Sequence, residues 1–196
     1  MPHAFGGALA LAFHVEEPRA TRDIDVNLFV PADHARSALA ALPRAVAWTD
    51  EHVSEVGRVG QVRVFWDDTP VDCFFSTHRF HEAAQWRTEI VPFAGVEMPV
   101  LRGEDLAVLK AYFDRTRDWA DIEAMSDAGA VDVHEVLGWL VELLGPDDAR
   151  VARMRSLLSR RRPPGQPRFA PDHFRGRVAV TVAARARAPR PPARRR

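Results

Sequence analysis

The chain of 196 residues has a single cysteine, Cys73, so no disulfide can close within it. That suits a reducing compartment, and a cytoplasmic location is expected. Lysine is almost as scarce: Lys110 is alone, and every other fixed cation is an arginine. No apolar run approaches the ~20 residues of a membrane-spanning helix, so no membrane partner is expected. The sequence does not open with a basic segment followed by an apolar one, so no signal peptide is expected. It contains no internal repeat. What is present is an ordinary apolar content, enough for the core of one compact domain with a helical appendage.

The net charge of zero hides a division. Residues 1–149 carry 26 acids against 12 bases, whereas residues 150–196 carry 15 arginines and one aspartate. An acidic body with a basic tail suits self-association or a polyanionic partner for the tail.

Read in order, Pro2–Phe5 is the end of a strand and Ala8–Val15 a helix starting at Gly6-Gly7. Arg22–Val30 is a strand that turns fully apolar at Leu28-Phe29-Val30, and Pro31 ends it. Asp33–Leu42 has helical spacing. Arg58–Trp66 alternates, Asp67-Asp68-Thr69-Pro70 is a turn, and Val71–Phe75 completes a hairpin. Glu82–Trp86 is a helical turn; Glu89–Phe93 and Val96–Leu101 form a second hairpin around Ala94-Gly95. Helices follow over Glu104–Phe113, Thr116–Met125, the Val133–Leu144 stripe with Asp132 and Glu135 as a capping box, and a last one after Pro146. The expectation is an α+β fold: a sheet domain over 1–101, a helical part over 102–162, and an Arg/Pro-rich tail over 163–196 read as disordered, with Val178–Val182 its one structured-looking patch.

Asp23 and Asp25 stand two apart on a strand and so share a face. Carboxylates side by side repel unless a cation lies between them. A hard divalent ion, Mg²⁺ or Mn²⁺, takes oxygen ligands and keeps waters for a phosphate substrate. Asp is also depleted in strands, which calls for an explanation of two on one face. Gly6-Gly7 at a helix start offers backbone N–H groups to an anion and lets a phosphate come close; the competing reading is a turn that needs positive φ. Asp72 is a third acid inside an apolar strand, with Asp67 and Asp68 better read as loop residues. Arg19, Thr21 and Arg22 precede the Asp strand. Thr21 fixes that loop through its hydroxyl, and Arg19 or Arg22 meets phosphate or pairs with Glu16 or Glu17. Lys110, Asp114, Asp118 and Asp121 share one stripe if their helix is continuous, and the plain reading is a solvated face with Lys110–Asp114 and Arg117–Asp121 pairs. His78 and His81 form a weak zinc pair without cysteines beside them. Cys73 reads as a small core residue.

The Gly pair followed by Asp-x-Asp resembles the signature of the nucleotidyltransferase superfamily of DNA polymerase β. Gly-Gly-x-Ala-x-Ala, then Arg19-Ala20-Thr21-Arg22-Asp23-Ile24-Asp25, looks most like the abortive-infection nucleotidyltransferases of the AbiEii/AbiGii toxin family. The resemblance covers about residues 3–127. It implies a polymerase-β-like mixed sheet with flanking helices, followed by a helical bundle. The family places a helix and a full strand before the Gly pair, so the first strand looks truncated here, leaving the sheet short of its first edge. The resemblance makes the chain an NTP-dependent, pyrophosphate-releasing nucleotidyltransferase. Asp23, Asp25 and Asp72 then hold Mg²⁺, and Asp72 also acts as base; Gly6, Gly7, Arg19, Thr21, Arg22 and Lys110 bind the nucleotide. Lys110 contacts the triphosphate, and Arg115-Thr116-Arg117-Asp118-Trp119-Ala120-Asp121 matches the motif after it, adding Asp118, with Asp121 as its partner or as the group that orients Arg117. Such proteins serve as toxins of toxin–antitoxin pairs, with a tRNA or protein acceptor and a cognate antitoxin. Two rivals remain: a small-molecule transferase acting on a cationic, aminoglycoside-like acceptor, which the acidic body favours, and a degenerate module that binds nucleotide or a partner without turnover.

Overall fold

The computed structural model describes residues 1–160; the expected tail and its Val178–Val182 patch lie outside them. Seven strands and eight α-helices follow one another in the order β1 (His3–Phe5), α1 (Gly7–Leu11), β2 (Ile24–Pro31), α2 (Ala35–Ala40), β3 (Val46–Ala47), α3 (Asp50–Val59), β4 (Gln61–Trp66), β5 (Thr69–Ser76), α4 (Arg79–Trp86), β6 (Glu89–Phe93), β7 (Val96–Val100), α5 (Gly103–Phe113), α6 (Thr116–Asp127), α7 (Val133–Leu144) and α8 (Ala149–Arg160). The strands form one mixed sheet, β3-β4-β5-β2-β1-β7-β6. The β2–β5 and β1–β7 pairs are parallel and the others antiparallel. This is the expected α+β architecture, a mixed sheet with flanking helices followed by a helical bundle.

The short first strand is not an edge. β1 pairs with β2 on one side and β7 on the other, and the edges are β3 and β6. Three residues suffice because their neighbours supply the ladder on both sides, and Leu101 N donates to Phe5 O at 2.9 Å just past its end.

Alternation sends the strands' residues to two different cores. Val26, Leu28, Val62, Val64, Val71, Cys73 and Phe75 face α2 and α3. Phe29, Met98 and Val100 pack with α1 and α4–α8, so the C-terminal helices and the sheet share one continuous core, centred on Trp119, Ile122, Met125 and Leu140. Cys73 lies in the first core, as expected, and burial pushes its thiol up to about 12, with Asp72 adding to the effect.

Several sequence expectations are corrected. α3 was not legible: only Val53 and Val56 give it an apolar face, and Gly57 interrupts it. Local chemistry sets its ends instead. His52 Nδ1 accepts from Thr49 N at 2.8 Å, and Gly60 closes the helix with φ +73°. Arg58 and Val59, expected on a strand, are its last residues. The Asp33–Leu42 helix begins with a 3₁₀ turn over Ala32–His34. β2 runs Ile24–Pro31, so Pro31 ends it as expected, but Asp23, expected on the strand, lies in a bend one residue before its start. Asp132 caps α7 by accepting from His134 N at 2.9 Å, while Glu135 turns to Arg102 instead of closing a capping box. The charged stripe is broken as well. Asp114 adopts φ +57° between α5 and α6, which turns it away from Lys110; its carboxylate accepts from Trp119 Nε1 at 2.6 Å. Neither Lys110–Asp114 nor Arg117–Asp121 pairs among the described residues.

Candidate active site

β2 and β5 are parallel and in register, with Asp25 beside Asp72, and β5 pairs with β4 so that Asp72 faces Arg63. On these three strands the neighbours of the acids alternate inward (Val26, Val71, Cys73, Val62, Val64), which forces Asp25, Asp72 and Arg63 onto the opposite face. There α1 and α5 leave part of the sheet uncovered, and a cleft of about 380 Å³ opens. Gly7, Arg19, Asp23, Asp25, Asn27, Arg63, Asp72, Lys110, Arg115 and Arg117 line it, together with Phe74 and Phe113.

The three expected acids therefore reach one cleft, in different states. Asp23 accepts a short hydrogen bond from the Thr21 hydroxyl, which holds its carboxyl below the usual carboxylate range. The same hydroxyl also donates to Asp23 O at 3.2 Å, so Thr21 fixes the loop as expected. Asp25 goes the other way: burial, then the charges of Asp23 and Asp72, push its carboxyl up to about 6. Asp72 gives both oxygens to Arg63, at 2.7 and 2.6 Å. Among the described residues no three His, Cys, Asp or Glu side chains converge as a ready metal cage.

The Gly pair serves proximity. A Cβ on Gly7 would stand 1.8 Å from Asp25 Oδ2, and Gly7 has φ +51°, so this position excludes a side chain on two counts. A Cβ on Gly6 would meet Asn27 Nδ2 at 2.7 Å. α1 is only five residues long, so the long helix expected to aim its N-terminus at an anion is absent.

The opposite wall is cationic. Lys110 Nζ donates to Asp121 at 2.6 Å and lies 3.6 Å from Asp118. Arg115 Nε donates to Asp118 at 2.5 Å, and Arg19 reaches Asp121 through two bonds of 3.2 and 3.3 Å. Burial opposes the charge on Asp121, but the bonds from Arg19 and Lys110 outweigh it and hold the carboxyl below its ordinary range. Lys110 and Asp118 thus lie in a compact ion network with both buried. Arg117 lines the cleft and makes no ion pair among the described residues, whereas Arg22 is exposed and does not line the cleft. His78 caps α4, accepting from Phe80 N at 3.1 Å, so the residue read as half of a zinc pair has a helix-capping role.

Sequence reasoning missed Arg63, Asn27 and the aromatic pair Phe74–Phe113, whose rings meet edge to face at 5.7 Å, and it placed Arg115 in a motif without giving it a role. A signal for Arg63 existed. The two-residue turn Asp67-Asp68 pairs Trp66 with Thr69, and counting back three residues on each strand opposes 63 to 72. Asn27 carried no signal; its Oδ1 is buried without a partner in the described structure.

The donor set suits a hard divalent cation. Mg²⁺ needs one or two carboxylates and otherwise water and substrate phosphates, which Asp23 and Asp25 provide. Asp25 is raised first by burial and then by the charges of Asp23 and Asp72, both of which a cation would offset; Gly7 leaves the approach to it open, and Asn27 Oδ1 is an acceptor still to be used.

No family model and no curated protein sequence matches the chain. Solved structures do. An antigenic nucleotidyltransferase-like protein from Paracoccidioides brasiliensis is 14% identical, covering 80% of this chain and 78% of its own, with a TM-score of 0.44. ANT(2″)-Ia, solved with adenylyl-2″-tobramycin, is 16% identical over 80% of this chain and 88% of its own, with a TM-score of 0.47. The likeness is one of chain topology. No helix among the described residues is long and apolar enough to cross a membrane.

Proposed function

We infer that the chain is a metal-dependent nucleotidyltransferase that moves a nucleoside monophosphate from an NTP to an acceptor hydroxyl. One observation carries this reading: a surplus of carboxylate on the cleft floor, Asp23 and Asp25 under a side-chain-free Gly7, faces a wall of Lys110, Arg19, Arg115 and Arg117. A cation–triphosphate complex has the matching polarity, with metal toward the floor and phosphate oxygens toward the wall.

Asp23 and Asp25 would hold Mg²⁺, which, when bound, offsets the charge developing on the phosphate oxygens. Thr21 keeps Asp23 ionised and oriented. Arg117, which makes no ion pair among the described residues, is the cation best placed to take a phosphate, and Arg19 and Arg115 line the same cleft. Lys110 reaches phosphate only by sharing its ammonium with Asp121 and Asp118. In the transfer, the acceptor oxygen forms a bond to the α-phosphorus as the bond to the bridging oxygen of the β-phosphate breaks; pyrophosphate leaves, and the acceptor's proton passes to Asp72 or to water.

The toxin-type reading, with a tRNA or protein acceptor and a cognate antitoxin, rests on the sequence resemblance. A small cationic acceptor is favoured by Glu55, which lines the cleft together with Gln61 and Arg63. Incubation with each labelled NTP, Mg²⁺ and either total RNA or an aminoglycoside separates them by what becomes labelled. Absence of pyrophosphate release with every acceptor, alongside retained NTP binding, would leave the degenerate module.

A further inference from the structure

Among the described residues, Arg63 is the one guanidinium with a two-pronged hold on an acid of the row. Three adjacent strands place Arg63, Asp72 and Asp25 in one line across the sheet, in cross-strand register. Arg63 binds both oxygens of Asp72 through Nε and a terminal nitrogen. The fork geometry fits a carboxylate two-pronged and leaves Asp72 little freedom to turn. The Arg63 side chain is 54% exposed and Asp72 19%, so the guanidinium can swing out to solvent, and the largely covered carboxylate it frees then calls for another cation.

We propose that Arg63 is a built-in counter-ion that competes with the divalent cation for Asp72: it neutralises the carboxylate row in the empty protein, and Asp72 joins Asp23 and Asp25 around a cation only when the Arg63 fork lets go. Arg63 is thus a positioning residue that acts through Asp72 and sets the protein's cation affinity. This rests on the reading of the cleft as a metal site. It accounts for why the three acids reach one cleft without converging, since Asp72 is committed sideways to β4.

The test is Mn²⁺ binding to the otherwise empty protein, followed by loss of the free-ion paramagnetic resonance signal. Arg63→Gln is expected to tighten Mn²⁺ binding by about fivefold, the scale of one exposed ion pair removed as competitor. Arg63→Lys, which keeps the charge but loses the fork, should fall between Arg63→Gln and the parent. Asp72→Asn should weaken binding, and adding Arg63→Gln to it should change affinity by less than about twofold, because the competition passes through Asp72. Equal or weaker binding in Arg63→Gln, or the same gain in the Asp72→Asn background, overturns the proposal while leaving the metal site standing. If Arg63→Gln does not fold, Arg63→Lys carries the comparison, and parental affinity in it overturns the proposal. A parent that takes up no Mn²⁺ at millimolar concentration overturns the metal reading itself and the proposal with it.

Discussion

Two clusters of ionisable groups face the same cleft and are neutralised in different ways. At the sheet, Asp72 is held two-pronged by Arg63, whereas Asp23 and Asp25 make no ion pair among the described residues. On the helices, Asp118 and Asp121 are held by Lys110, Arg115 and Arg19. The first cluster is short of positive charge, and burial, then the charges of Asp23 and Asp72, raise the Asp25 carboxyl to about 6. The second is over-supplied and deep, with Lys110 and Asp118 almost wholly buried. The difference teaches where a ligand is needed and where the fold has already met the demand. An acid row left in deficit is a site for a cation, whereas a satisfied buried network is first a strut.

The comparison predicts opposite responses to deletion. Asp23→Ala and Asp25→Ala should each lower nucleotidyl transfer by at least about a hundredfold, the loss of several kcal/mol of transition-state stabilisation. The metal-free melting temperature of Asp25→Ala should be unchanged or higher, since it removes a buried, repelled charge, whereas Asp23→Ala should melt no higher than the parent, since it also removes the acceptor of the Thr21 hydroxyl. Asp72→Ala should keep some metal binding and lose most turnover. Pyrophosphate release and thermal melts check this; near-parental transfer in both Asp23→Ala and Asp25→Ala would end the nucleotidyltransferase reading.

Lys110→Ala should do the reverse and strike the fold. Removing the buried ammonium leaves Asp121 to Arg19 and Asp118 to Arg115 alone in a buried place, at a cost of up to about 3–5 kcal/mol. For a chain of this size that lowers the melting temperature by on the order of 10 °C. A parental melt with lost NTP binding would instead mean that Lys110 is a ligand group and that the network is a resting state.

The pH dependence sharpens the contrast. The Asp25 carboxyl is raised in the folded protein, so between about pH 4 and pH 6 the folded state binds a proton that the unfolded state has lost. Metal-free stability should therefore fall as pH rises through that window, by at most roughly 3 kcal/mol, the worth of a shift of this size. Asp121 is held low, so its contribution is present above the ordinary carboxylate range and is lost only as pH falls below it. Denaturant midpoints from pH 4.5 to 7.5 should show the Asp25 slope, and Asp25→Asn should flatten it; a slope surviving in that variant assigns it elsewhere.

The smallest effect belongs to Gly7→Ala. Positive φ and a Cβ directed onto Asp25 cost about 1–3 kcal/mol. A melt lower by a few degrees with a displaced Asp25 titration is expected; an unchanged melt and titration would show that the loop yields freely.

Much of this site was legible in the chain itself. Asp25 inside β2, the Gly pair before it, and Asp72 inside Val71–Phe75 are local patterns, and period two places Asp25 and Asp72 on a face, whereas Asp23 precedes the strand and is set by its bond from Thr21. The two hairpins and the α+β order follow from alternation, turns and helical stripes, because those signals repeat within a few residues. α3 escaped because its apolar face is only Val53 and Val56 and its ends are set by Thr49, His52 and Gly60. Only the tertiary structure decided the partners. That Arg63 holds Asp72, that Arg19 crosses 102 residues of chain to reach Asp121, and that Lys110 turns from Asp114 to Asp121 depend on strand register and on one left-handed residue between two helices. A sequence specifies which charges a segment carries; the balance among charges is set by distance, and distances between segments exist only once the sheet has paired and the helices have packed.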